Sequence, residues 1–168
     1  MDDALAQKLV DGLRDAGINF ITYLPETRLS QILPKIFEDK SFTSVAVSSE
    51  AEGFTIAAGA SLGGKLPALY TEGTGVYVSC YNLLTVGKRF GIPLLLLVSN
   101  AGSMEDTRNS FIYALPGTHM IPLMKAFGIQ YAVVEDGTDL ETKIKDAVRM
   151  MHALKLPVAL LFTGEFTV

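Results

Sequence analysis

Two carboxylates stand two residues apart in Ser48-Ser49-Glu50-Ala51-Glu52-Gly53, where a short β-branched run gives way to a helical pattern. Ser49 reads as the helix N-cap. Glu52, three positions on, completes a capping box by reaching back to amides that the first turn leaves without helical partners. That leaves Glu50 at the first helical position with no structural task it must perform. Its carboxylate either complements the positive end of the helix dipole or is available for chemistry. A second segment, Thr71-Glu72-Gly73-Thr74-Gly75, contains a GxG between a strand and a helix. Val78 stands where a dinucleotide fingerprint has its third glycine, and no acidic residue follows at the required distance, so this is not a nicotinamide signature. It reads instead as a glycine turn that lets a ligand or another chain approach the backbone.

The other reactive side chains form no constellation. His119 is expected at a helix start after a long loop, in a catalytic or anion-contacting place. His152, beside Met150 and Met151, reads as a surface or packing residue. The two histidines do not make a metal pair, and no metal ligand set is expected in this chain. Cys80 is the single cysteine, so the chain can form neither an internal disulfide nor a thiolate cluster, and the residue reads as buried filler. No HExxH, GxSxG or P-loop pattern occurs.

Hydrophobic periodicity supplies the elements that must carry these residues. Helices are expected over 4–16, 27–38, 50–62, 77–90, 119–127 and 140–154, the second kinked or cut short at Pro34. Strands are expected over 18–24, 43–47, 67–70, 93–98, 131–134 and 157–162, with the apolar run 93–98 marking a central parallel strand. The small residues of 56–64 fit tight packing of that helix on a sheet, or a subunit contact. Residues 100–117 read as a long irregular stretch, a lid or a surface excursion, whose Glu105, Asp106 and Arg108 look like a solvated face. Six strands alternating with six helices predict a single-domain, three-layer α/β/α fold over residues 1–168 with a central six-stranded parallel sheet. In such a fold ligands gather at the carboxyl ends of the strands. That singles out the turns at Leu24-Pro25-Glu26, Ser48-Ser49-Glu50, 71–75 and from Ser99 onward.

Composition narrows the class. The 168 residues carry a net charge of −4, with 49% hydrophobic and 19% charged side chains, and a mean hydropathy of +0.32. This excludes a disordered chain and argues against a general nucleic-acid binder. The positive hydropathy suggests a surface partly covered by partners. The longest strongly apolar stretch, 92–98, is far too short to span a bilayer. The acidic start Met1-Asp2-Asp3 resembles neither a secretory signal nor a transit peptide, so a cytoplasmic location is expected.

Several segments together resemble a known family. They are Leu24-Pro25, Ser49-Glu50-Ala51-Glu52-Gly53, Ile56-Ala57-Ala58-Gly59-Ala60-Ser61-Leu62-Gly63-Gly64-Lys65-Leu66-Pro67, Thr74-Gly75, and Gly91-Ile92-Pro93 running on to Ser99. Over nearly its whole length the chain resembles the pyrimidine-binding domain of thiamine diphosphate enzymes. It is most similar to the alpha chain of sulfopyruvate decarboxylase and the matching half of phosphonopyruvate decarboxylase. The resemblance implies that Glu50 hydrogen-bonds the cofactor's aminopyrimidine and is the catalytic carboxylate. It also implies that Pro25, Thr74 and Gly75 line the cofactor, and that the reaction is decarboxylation of a small 2-oxo acid. Glu26, Glu72 and His119 are the residues expected to face substrate. The family holds diphosphate and Mg2+ with a Gly-Asp-Gly motif and a later Asn. No Gly-Asp-Gly occurs in this chain, which implies a hetero-oligomer with a separate diphosphate-binding subunit and the cofactor at the interface. Two segments depart from the family pattern. Glu72 to Val78 replaces a Gln-Asn-Ser-Gly-Leu-Gly-Asn run, and Gly117-Thr118-His119 replaces Met-Gly-Arg. Amide side chains and an arginine suited to sulfonate or phosphonate are thereby lost. The resemblance thus implies a cofactor class more than one substrate. Within that class a carboligase acting on another 2-oxo acid is the alternative, and outside it a non-catalytic α/β binding module.

Overall fold

The computed structural model describes residues 1–104, 106 and 111–167; Glu105 and Arg108 of the expected charge cluster lie outside them. Six strands form one all-parallel sheet in the order β2-β1-β3-β4-β6-β5. They are β1 (Phe20–Tyr23), β2 (Thr43–Ala46), β3 (Pro67–Glu72), β4 (Leu94–Ser99), β5 (Gln130–Val134) and β6 (Pro157–Phe162). Every residue of β4 and β6 is buried, as a continuous apolar run in a central parallel strand requires.

Helices cover both faces. On one, α1 (Asp3–Asp15), α2 (Ile32–Glu38) and α7 (Leu140–Leu154) pack Leu9, Leu13, Ile36, Ile144 and Met151 against Leu95 and Leu97. On the other lie α3 (Glu50–Leu62), α4 (Gly73–Val78), α5 (Cys80–Asn82), a π-helical turn at Leu83–Lys88 and α6 (Phe111–Phe127). They bury Phe54, Ala57, Val76, Leu83 and Met120 against Leu94, Leu96 and Val98. Successive β4 residues thus serve opposite cores, the period-two rule of a strand. The expected three-layer architecture is the one observed.

Three elements differ from expectation. The segment expected as a helix over 27–38 becomes helical only at Ile32. The Glu26 carboxylate accepts hydrogen bonds from the amides of Arg28 and Leu29, both 2.6 Å, and so holds 27–31 in turns. Pro34 then falls in the first helical turn, where its missing N–H leaves no helical bond unmade, and no kink is needed. The helix expected over 77–90 starts at Gly73, directly after β3, with no turn between. Residues 111–117, expected as loop, are the first two turns of α6 despite Pro116. Gly117 permits this: a Cβ there would lie 2.4 Å from the Ala101 carbonyl oxygen and 2.3 Å from the Gly102 carbonyl carbon. Among the described residues no helix is long and apolar enough to cross a membrane.

Candidate active site

β1 and β3 are neighbours, yet the chain visits edge strand β2 between them. The strand order reverses there, and the crevice beyond the carboxyl ends of β1 and β3 is the expected ligand position. Three carboxylates belong to this corner: Glu26 after β1, Glu50 at the start of α3, and Glu72 at the last position of β3. Their surroundings differ.

Glu26 is engaged by its own loop. Besides the two amides, its Oε1 accepts the Tyr70 hydroxyl. Burial, and then the negative charge of Glu26, push the Tyr70 phenol far above its ordinary range, so it remains a donor. Glu52 is engaged too, through the Ser48 amide and hydroxyl, both 2.7 Å, while Ser49 Oγ accepts the Glu52 amide at 3.2 Å. This is the expected capping box shifted one residue outward. The amide and hydroxyl bonds of Ser48 hold the Glu52 carboxyl below the usual range.

Glu50 is different. Among the described residues nothing donates a hydrogen bond to its half-buried carboxylate or pairs with it. Its side chain lies across the first turn of α4 at Gly75. A Cβ on Gly75 would stand 2.4 Å from Glu50 Cγ, 2.7 Å from Cδ and 2.1 Å from Thr71 Oγ1. The position admits no side chain while Glu50 keeps its place. Gly75→Ala is therefore expected to displace the Glu50 carboxylate and to destabilise the fold by about 1–3 kcal/mol, the usual cost of overpacking. Thermal unfolding and a crystal structure of the variant check both effects.

Glu72 is half-buried, and its Oε1 is buried without a hydrogen-bond partner. Burial raises its pKa first. The charge of Glu26 adds to that, Arg28 opposes it, and Glu50 adds again. Two further buried polar atoms, Ser99 Oγ and Asn100 Oδ1, also lack partners, and Ser99 is the register neighbour of Glu72 across β3 and β4. Pro25 and Thr74 are exposed beside the crevice, in the loop after β1 and in the first turn of α4.

The remaining candidates lie elsewhere. His119 sits in the middle of α6 rather than at a helix start, exposed, with Nδ1 2.8 Å from the Leu115 carbonyl oxygen of its own helix. It borders an apolar cavity of about 350 Å³ with Tyr77, Leu115 and Pro116. His152 is exposed on α7. Burial raises the Cys80 thiol, which suits packing rather than attack. Among the described residues no group of three or more His, Cys, Asp or Glu is placed to hold a metal ion.

Sequence reading missed Arg28. It is buried, and its guanidinium meets Asp106 at 2.6 Å. It also reaches the Thr167 carbonyl oxygen at 3.3 Å and lies 5.0 Å over the Tyr113 ring. Asp106, read as part of a solvated face, is instead 5% exposed, and its second oxygen accepts the Gly102 amide at 2.7 Å. Nothing local signals a pair separated by 78 positions. The pair fastens the loop carrying Pro25 and Glu26 to the segment after β4.

Comparison with known proteins identifies the chain's relatives and its fold. No protein-family model matches the chain. It is 30% identical over 158 residues to sulfopyruvate decarboxylase subunit alpha of Methanocaldococcus jannaschii, covering 94% of this chain and 92% of that one. It is 26% identical over 161 residues to the same subunit of Methanococcus maripaludis, covering 96% and 95%. Among solved structures, benzoylformate decarboxylase from Polynucleobacter necessarius superposes with a TM-score of 0.78 at 18% identity, covering 97% of this chain and 30% of that one. That likeness is one of fold, and the present chain corresponds to about three tenths of the larger enzyme. Identity of 30% along almost the full length of both chains places this protein in the sulfopyruvate decarboxylase alpha-subunit family.

Proposed function

We propose that the chain, as one domain, is the pyrimidine-binding subunit of a two-chain, thiamine diphosphate-dependent 2-oxo acid decarboxylase of the cytoplasm. The observation that carries this reading is the Glu50 carboxylate, unengaged at the strand-order reversal and laid across Gly75, whose missing Cβ lets it lie there. The donor set suits an aminopyrimidine. A carboxylate accepts a hydrogen bond from a protonated ring nitrogen, and the absence of a side chain at Gly75 lets the Glu50 carboxylate hold its position. Pro25 and Thr74 flank the same crevice.

When bound, the cofactor supplies an electron sink for the bond that loses carbon dioxide. The chain's own part is narrower. Glu50 accepts the hydrogen bond and stabilises the protonated ring nitrogen. Glu26, tied down by Arg28, Leu29 and Tyr70, fixes the loop that presents Pro25. Glu72 faces substrate, as does His119 from the cavity it shares with Tyr77 of α4. The diphosphate and Mg2+ are held by a partner chain with a Gly-Asp-Gly motif and a downstream Asn. The subunit name of the relatives supports such a partner. So does an apolar exposed surface that includes Val78, Tyr81, Phe111, Ile112 and Leu115.

The test is to recover the tagged chain gently from its native cell, identify what accompanies it, and assay the assembly. Carbon dioxide release is measured from sulfopyruvate, phosphonopyruvate and benzoylformate with thiamine diphosphate and Mg2+. A stoichiometric partner carrying Gly-Asp-Gly, and release that needs both partner and cofactor, are expected. A chain recovered as a homo-oligomer that binds no thiamine diphosphate would instead support a non-catalytic module.

A further inference from the structure

We infer that Glu72 is a second catalytic residue of this chain, whose carboxyl group delivers the proton that takes the place of carbon dioxide on the product. The inference rests on the decarboxylase reading above and adds a step to it.

Geometry carries the argument. Glu72 ends β3 at the crevice, three residues before the glycine that Glu50 crosses. Its Oε1 is buried and has no partner among the described residues. Beside it in the β3–β4 register, Ser99 is 0% exposed and also leaves its side-chain oxygen without a partner. Buried polar atoms without partners are rare in native folds, and two side by side on neighbouring strands mark a place that a ligand or water completes. The groups acting on Glu72 are Glu26, Arg28 and Glu50, with the Tyr70 phenol held on Glu26. Arg28, the cation among them, is committed to Asp106. Burial first, then Glu26, with Glu50 adding against the opposing Arg28, shift Glu72 toward the neutral acid, the form that can donate.

The step balances. The bond between the carboxylate and carbonyl carbons of the 2-oxo acid breaks and carbon dioxide leaves. The electron pair stays at the former carbonyl carbon, and the Glu72 proton forms the new C–H bond there. Glu72 is left as a carboxylate and regains a proton from water, so that a 2-oxo carboxylate and one proton give an aldehyde and carbon dioxide.

Two readouts test this on the protein as purified with its bound subunits. The first needs no substrate. Infrared difference spectra of wild type minus Glu72→Gln, without cofactor, are expected to show a protonated-carboxyl C=O band that persists at pH values above the ordinary glutamate range. Absence of that band overturns the inference. The second divides the products, using whichever of sulfopyruvate, phosphonopyruvate and benzoylformate the wild type decarboxylates. Glu72→Gln is expected to lose aldehyde formation by about 10²–10⁴-fold, the usual worth of a positioned acid. Carbon dioxide release coupled to ferricyanide is expected to survive, because the oxidant removes the electron pair and no C–H bond is made. Aldehyde formation in wild type should fall as pH rises through the Glu72 pKa, and Glu72→Asp should restore part of it. Equal loss in both assays would make Glu72 merely structural, and normal aldehyde release by Glu72→Gln would refute its role. A wild type that releases no carbon dioxide from any of the three acids would count against the decarboxylase reading instead, while the infrared band would still decide the state of Glu72.

Discussion

Glu50→Gln is expected to reduce turnover by about 10²–10⁴-fold while the chain stays folded. The substitution keeps shape and a hydrogen-bond acceptor but removes the charge that stabilises a protonated ring nitrogen. Its structural cost is limited to the first-turn dipole contribution, about 0.3–1 kcal/mol, because the side chain holds nothing else in place among the described residues. The contrast with Glu52 is the internal control. Glu52 closes the cap on Ser48, so Glu52→Gln should affect stability and leave turnover close to wild type. Steady-state kinetics of the assembled protein, with thermal unfolding of each variant, separate the two carboxylates. Wild-type turnover by Glu50→Gln would remove the basis of the proposed function.

Arg28→Met is expected to destabilise the fold by about 3–5 kcal/mol, because it leaves Asp106 buried without its cation. For a chain of this size that corresponds to a fall in Tm of roughly 6–20 °C. Arg28 Nη1 and Asp106 Oδ1 are 2.6 Å apart at 4% and 5% residue exposure, so solvent cannot take over for either partner. The double variant Arg28→Met/Asp106→Leu should recover much of the loss, since replacing both charges removes the uncompensated one. Recovery will be incomplete, because Asp106 also accepts the Gly102 amide. Denaturant unfolding of the two single variants and the double variant gives the coupling directly. A single variant as stable as wild type would show that the pair does not tie the two loops together.

How far these residues could be read from sequence follows from the range of the forces that place them. The bounds of α3 (Glu50–Leu62), α7 (Leu140–Leu154) and β6 (Pro157–Phe162) match expectation, because caps and periodic apolar faces are local signals. The same locality isolated Glu50: once Ser49 and Glu52 had been given to the cap, it was the carboxylate left over. The start of α2 was not legible, since it depends on where the Glu26 side chain turns, and that is fixed partly by Tyr70, 44 positions away. The start of α6 was hidden by Pro116 and Gly117, which read as punctuation until Gly117 is seen packed on the backbone of 101–102. The buried Arg28–Asp106 pair joins residues that look like ordinary surface charges. The unpartnered oxygens of Glu72, Ser99 and Asn100 become visible only when β3 and β4 lie side by side.

The claim beneath all of this is that one cofactor is shared between the Glu50 edge of this chain and a diphosphate site on another. Calorimetric titration of thiamine diphosphate with Mg2+ into this chain alone, into its copurified partner alone, and into their complex tests that claim most directly. Stoichiometric binding by the complex, and by neither chain alone, is the predicted result. Stoichiometric binding by this chain alone, or none by the complex, would contradict it.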